Sequence, residues 1–152
     1  EELGMTHFID ASIAAQQGLQ VAYGFASQMG PILLTSVMVK QDYLEANPDL
    51  VQRFCNALAA SMKLIRENSA AYVSAMGAEF SNLDRQVIEA GCARLLATPG
   101  YVPLNPIVGK AEWDASVEHD FLAGTIRKQL PFEEMVDNRF AQKATAAFGV
   151  AG

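Results

Sequence analysis

The fold is decided by residues 30–54, which read GPILLTSVMVKQDYLEANPDLVQRF. The first part follows a Gly-Pro pair and is apolar and partly β-branched, which is typical of a buried strand. The last part begins with Asn47, a good N-cap residue, followed by Pro48, which suits the first helical position. The sequence therefore predicts a strand over Ile32 to Lys40 and a helix that begins after Asn47.

Apolar residues then recur on one helical stripe, which extends this helix to about Glu67. The stripe holds Leu50, Val51, Phe54, Cys55, Leu58, Ala59, Met62 and Ile65. The same reasoning predicts a helix after Asn68 that ends at Gly77, and a second helix introduced by a capping-box pattern at Ser81 and Asp84. A third helix is predicted to contain Trp113 and Ile126. A helical turn at Phe132 to Val136 and a last helix containing Phe140 and Phe148 complete the chain.

Extended structure is predicted upstream of the deciding stretch. Candidate strands are Met5 to Ile9 and Leu19 to Phe25, and Ser12 to Gln17 forms a helical turn or two that Gly18 ends. The predicted order is β-α-β-β followed by helices, which is a mixed α/β class.

Composition and charge exclude several kinds of partner. The chain has 152 residues, of which 51% are apolar and 18% charged, which suits one globular segment. Its net charge is −6 and its pI is about 4.8, so it lacks the basic surface that nucleic acid requires. No apolar run approaches the ~20 residues of a membrane-spanning helix.

No motif in the sequence predicts catalysis or a bound metal. The chain has no nucleophile-base pair, Gly-rich phosphate loop or HExxH, and its two cysteines are far apart without CxxC spacing. We therefore expect no enzymatic activity, no cofactor and no metal. His119 lies between two acidic residues and is predicted to be solvated, whereas Trp113 either packs in a core or stacks on a ligand.

Residues 30–54 resemble the C-terminal half of ABC-transporter solute-binding proteins, in the subfamily for nitrate, sulfonate, taurine and thiamine precursors. In that family a strand is followed by an acidic-aromatic turn, an Asn-Pro or His-Pro cap and a long helix. The end of this helix, residues 63–68 (KLIREN), is similar to the family's ending, with Ser69 in place of Pro. The tail is also similar, from AEW at 111–113 to PFEEMVDNRFA at 131–141.

This resemblance implies a periplasmic-binding-protein-like II fold, in which two α/β lobes enclose a ligand cleft. It implies that this chain is partial and that the start of the N-terminal lobe is absent. The end of the second lobe and the hinge-return strand would occupy about 1–45. The C-terminal helices would occupy about 47–150. The partners implied are a small-molecule ligand, an ABC permease of the inner membrane and the missing N-terminal lobe. The location implied is periplasmic, or anchored to a membrane outside the cytoplasm.

The ligand-binding candidates lie in the first predicted strand-turn-helix and are Thr6, His7, Phe8, Asp10 and Ser12. Family members often have an aromatic residue and then Glu-Pro here; Phe8 and Asp10 stand in the first two places, and Ala11 replaces Pro. Asp10 either caps the following helix or binds a ligand. As a ligand residue it favours an amine or pyrimidine donor over nitrate or sulfonate, because a carboxylate only accepts hydrogen bonds.

The resemblance therefore implies the substrate-binding component of an ABC importer, which captures a small polar nutrient in an interlobe cleft. The nutrient would be a sulfonate, nitrate, taurine or a thiamine pyrimidine precursor. Two alternatives stay open: an enzyme like the thiamine-pyrimidine synthases on the same fold, and a helical interaction domain without a ligand.

Overall fold

The computed structural model describes residues 18–20, 32–33, 35–98 and 100–150. Seven helices hold 64% of these residues. They are α1 (Gln41–Ala46), α2 (Pro48–Glu67), α3 (Ser69–Glu79), α4 (Arg85–Ala97), α5 (Lys110–Leu122), α6 (Phe132–Met135) and α7 (Arg139–Phe148).

Asn47 separates α1, which the sequence analysis did not predict, from the predicted long helix α2. Its backbone N–H donates to the Tyr43 carbonyl at 2.9 Å and so closes α1. Its own carbonyl accepts from the N–H groups of Leu50 and Val51, which begins α2. The predicted extent of α2, to about Glu67, is confirmed.

The later helices are confirmed with shifted ends, except that Ile126, predicted in the same helix as Trp113, lies beyond the end of α5 at Leu122. The Asn68 side chain accepts from the Ala71 N–H at 3.0 Å and starts α3, which continues through Gly77 to Glu79. The predicted capping box at the start of α4 is wrong, because the Asp84 side chain makes no capping hydrogen bond.

The predicted α/β fold class, of the periplasmic-binding-protein-like II type, is wrong for the described part of the chain, which contains helices and no strand. Of the predicted strand Ile32 to Lys40, residues 32–33 and 35–40 are described and none is in a sheet. The Leu33 N–H donates to the Ser116 hydroxyl at 2.7 Å, and that hydroxyl donates to the Leu33 carbonyl at 3.3 Å, so a side chain takes the place of a neighbouring strand.

The exposure of residues 35–40 explains why they do not form the predicted strand. Val37 is 63% exposed and Met38 is 88% exposed. Strand propensity reflects how well a side chain packs on neighbours in a sheet, so an apolar segment without such neighbours gains nothing from strand geometry. The other predicted strands and the short helix between them lie outside the described residues, except for Leu19 and Gln20, which form no strand.

The chain divides into two compact units, and Met62–Pro103 belongs to the first. Within it, α3 packs against α4. The buried centre of this pair is formed by Tyr72, Ile88 and Cys92, surrounded by the partly buried side chains of Ile65, Val73, Met76, Leu83 and Leu95. The guanidinium of Arg66 donates to the carbonyls of Val102 and Pro103, which holds the segment after α4 against the end of α2.

The described residues of the second unit are 32–33, 35–61 and 104–150. Side chains that bond to backbone tie its segments together. The Asn138 amide accepts from the Val108 N–H at 3.0 Å and donates to the Val108 carbonyl at 2.9 Å. Gln52 of α2 donates to the Phe140 carbonyl of α7 at 3.1 Å. The predicted division of the chain near residue 46 stays a prediction.

Apolar burial is sparse in the described part of the chain. Eight apolar residues are buried, whereas 15 large ones are exposed. No described helix is long and apolar enough to cross a membrane. Much apolar surface is therefore left in contact with solvent.

Candidate functional site

The five residues predicted to bind a ligand, Thr6, His7, Phe8, Asp10 and Ser12, all lie outside the described residues. Among the residues that are described, no group of His, Cys, Asp and Glu is arranged to hold a metal ion. The candidate site therefore consists of other residues.

A groove of about 460 Å³ lies between α5 and the segment that precedes α6, within the second unit. It is an open groove and not an enclosed cavity. The helix contributes Asp114, Val117 and Glu118, and the facing segment contributes Gln129, Leu130 and Pro131.

The turn after α5 brings these two walls together. Gly124 has a φ of +74°, a left-handed conformation that glycine adopts without steric cost. The Asp120 carbonyl accepts from the N–H groups of Thr125 and Ile126 at 2.9 and 3.3 Å, which closes the turn. The chain then returns beside the helix that it has just left.

Aromatic packing joins α5 to the segment that it faces. The Trp113 ring meets the Phe132 ring edge-to-face, with centroids 6.4 Å apart and planes at 74°. The Trp113 indole N–H points at the Leu130 carbonyl, at 3.5 Å. Trp113 is thus half-buried among protein groups, as expected of the packing role that the sequence analysis weighed against ligand stacking.

The groove is acidic on its helical wall. Asp114 and Glu118 are one turn apart, so their carboxylates share a face of α5. Lys110 Nζ lies 2.6 Å from Asp114 Oδ2, and this hydrogen bond raises the pKa of the exposed lysine. Lys110 offsets one of the two negative charges, so the wall keeps a net charge of about −1.

This lining suits a small molecule that carries N–H donors. Carboxylates only accept hydrogen bonds, the Gln129 amide both donates and accepts, and Val117, Leu130 and Pro131 offer an apolar surface. An ammonium or amino group satisfies the acidic wall, whereas a bare anion is repelled by it.

Asp114, Glu118 and Gln129 were not predicted from the sequence as site residues. The i, i+4 spacing of the two acids was visible, but such pairs occur on many solvated helix faces. Only the return of the chain after Gly124 sets them opposite Gln129.

His119 matches the sequence prediction, which left the state of the two cysteines open. The His119 side chain is about half exposed, with Nδ1 at 3.5 Å from Asp120 Oδ1, so its predicted solvated position is confirmed. Cys55 and Cys92 are free thiols. Burial raises the pKa of each thiol, and the nearby charge of Asp137 adds to the effect at Cys55.

Comparison with known proteins gives one significant similarity. No family model matches the chain. No solved structure matches it either. The chain is 27% identical over 138 residues to a protein of Bacillus subtilis (strain 168) named "Putative binding protein YtlA", and the alignment covers 90% of this chain.

The chain spans 41% of the length of that relative. The relative's name describes a binding protein and specifies no ligand. The similarity supports the coarser part of the resemblance, a relation to binding proteins. The subfamily for nitrate, sulfonate, taurine and thiamine precursors stays a prediction.

Proposed function

We propose that this chain is part of the substrate-binding component of an ABC importer, and that it captures a small polar nutrient without catalysing a reaction. The observation that carries the proposal is the similarity to a named binding protein over 90% of the chain. The family resemblance of residues 30–54 and 131–141 agrees with it. The permease partner and a location outside the cytoplasm are parts of the same proposal.

The groove beside α5 narrows the choice among the candidate nutrients. Its acidic wall of Asp114 and Glu118 favours a ligand with an ammonium or amino group. Taurine and an aminopyrimidine precursor of thiamine carry such a group, whereas nitrate and simple sulfonates do not. We therefore rank taurine and the aminopyrimidine above the pure anions.

A matched pair of ligands tests this ranking. Taurine and ethanesulfonate share the sulfonate and the two-carbon chain and differ by the ammonium group. Thermal unfolding of the chain is measured with each of them, with nitrate and with an aminopyrimidine. A ligand present at 100 times its Kd stabilises the folded state by about 2.7 kcal/mol, which is readily measured as a rise in Tm.

Variants then connect binding to the groove. Asp114→Asn with Glu118→Gln removes both negative charges with little change in volume, and it is expected to abolish the shift caused by the amine ligand. Glu79→Gln, at the exposed end of α3, is the control and leaves the shift unchanged. Equal stabilisation by ethanesulfonate and taurine would reject the amine preference, and no shift with any of the ligands would count against the binding function.

A further inference from the structure

Lys110, at the start of α5, already places an ammonium group against the acidic wall of the groove. Its Nζ donates a hydrogen bond to Asp114 Oδ2 at 2.6 Å and lies 5.9 Å from the centre of the Phe132 ring. The hydrogen bond to Asp114 raises the pKa of the lysine, and the negative charge of Glu133 adds to this effect. The ammonium group is therefore held by residues of both α5 and α6.

The three partners of this ammonium group, Asp114, Phe132 and Glu133, have the chemistry of a cation site, and we call them the cation seat. Carboxylates accept hydrogen bonds from an ammonium group, and the face of an aromatic ring attracts a cation within about 6 Å. The edge-to-face contact with Trp113 holds Phe132 in place without any contribution from the lysine. The cation seat is therefore expected to persist when the lysine leaves it.

The lysine is held weakly enough to be replaced. The side chains of Lys110 and Asp114 are 56% and 54% exposed. Ion pairs between exposed side chains are weak, because solvent screens them and because the long lysine stem loses rotamer freedom when it is fixed. A ligand's ammonium group that binds Asp114 makes the kind of contact that Lys110 gives up, so the exchange costs little.

Glu118 differs from Asp114 in this respect. Within the described residues it takes part in no ion pair. The two carboxylates lie one turn apart on the same wall of the groove. An amino group bound at Glu118 thus meets no competitor, whereas one that reaches Asp114 meets Lys110.

We propose that Lys110 competes with the ligand's amino group for Asp114: the lysine occupies the cation seat in the empty groove and leaves it when an amine binds. The inference rests on the proposed function and adds to it a residue that limits the affinity of the groove. Because the competitor belongs to the chain itself, its local concentration is fixed. It therefore weakens binding by a constant factor.

Isothermal titration with taurine tests the competition. Lys110→Met keeps an unbranched apolar side chain beside Phe132 and removes the ammonium group. It is expected to lower the Kd for taurine about two- to fivefold, the range that an exposed ion pair supports. Lys110→Arg restores a competing cation and returns the Kd towards the original value. Lys143→Met, at an exposed position of α7 that does not line the groove, is the control and leaves the Kd unchanged.

Asp114→Asn separates competition from a general change in charge. In that variant Lys110 has lost the carboxylate for which it competes. Adding Lys110→Met is then expected to change the Kd by a factor close to one. A general effect of the lost positive charge would instead lower the Kd by the same factor in both backgrounds.

Acylation of the lysines by acetic anhydride, measured by mass spectrometry, gives a second readout. The rate at Lys110 is normalised to that at Lys143 in the same sample, with and without saturating taurine. A displaced Lys110 loses the hydrogen bond that stabilises its charged form, so its neutral amine is more abundant and its rate is expected to rise. A ligand that covers the lysine without displacing it would lower that rate and overturn the proposal.

The outcomes separate this inference from the function on which it rests. If the original chain binds taurine and Lys110→Met binds it no more tightly, the competition is rejected and the binding function stands. Weaker binding by Lys110→Met would also reject the competition and would assign the lysine to the sulfonate group. If neither chain binds taurine, the proposed function of the groove fails for this ligand and the inference fails with it.

Discussion

At the scale of single residues, Asn138 stabilises more of the fold than its position before α7 suggests. Its side chain makes no capping bond to α7 and instead pairs with both backbone groups of Val108. Asn138→Ala leaves a part-buried N–H and C=O without partners. We expect the free energy of unfolding to fall by about 2 kcal/mol, measured by urea denaturation.

The control for this residue is Gln142→Ala, an exposed position one turn into α7. Its effect should stay within about 0.5 kcal/mol. If Asn138→Ala costs no more than the control, water replaces the side chain at Val108 and the two hydrogen bonds do not hold the segments together.

At the scale of helices, replacing glycine by alanine is expected to have opposite effects on stability at two positions. Gly149 ends α7 with a φ of +60°, where any Cβ is strained. Gly77 lies inside α3, and a Cβ there would meet Ile88 Cδ1 at an ordinary 3.9 Å. We expect Gly149→Ala to destabilise the chain by about 1 kcal/mol and Gly77→Ala to stabilise it by about 0.5 to 1 kcal/mol.

Both values come from thermal or urea unfolding of the two single variants. Because the added methyl group is the same, each variant is the control for the other. A loss of stability in Gly77→Ala would mean that α3 and α4 pack too closely for a methyl group. An unchanged Gly149→Ala would mean that the end of α7 frays in the folded protein.

The helices and the missing strand show which parts of this fold can be predicted from the sequence. The long helix and the start of its successor are set by local signals, namely the Asn47-Pro48 start, the apolar period and the break at Asn68, so their positions could be predicted. The strand over Ile32 to Lys40 could not be judged locally, because a strand exists only with a partner. Ser116, 83 residues after Leu33, bonds to that segment instead.

The groove, like the absence of the strand, could not be predicted from local sequence. Asp114 and Glu118 could be placed on one helix face from their spacing alone. Their meeting with Gln129 depends on the left-handed turn at Gly124 and on the contact between Trp113 and Phe132. Neither feature has a periodic signal in the sequence.

At the scale of the whole molecule, stability should decline on the alkaline side. Burial raises the pKa of Cys55, Cys92 and Tyr72. The Tyr72 hydroxyl is hydrogen-bonded to the Cys92 thiol in the centre of the α3–α4 pair. In the unfolded chain the thiols ionise near pH 9.0 and the phenol near 10.0. Above these values the unfolded state binds fewer protons than the folded state, so the free energy of unfolding falls as the pH rises.

The expected result is a free energy of unfolding that changes little just below pH 9 and decreases steadily from about pH 9 towards 11, measured by urea denaturation at each pH. Tyr72→Phe with Cys92→Ala removes the two titrating groups of the α3–α4 pair. This double variant starts from a lower stability, because it loses buried atoms, but its slope against pH is expected to be shallower. General repulsion in an acidic chain of net charge −6 affects both proteins alike. Equal slopes would therefore assign the alkaline loss to repulsion, and they would contradict a specific contribution from the Tyr72 and Cys92 pair.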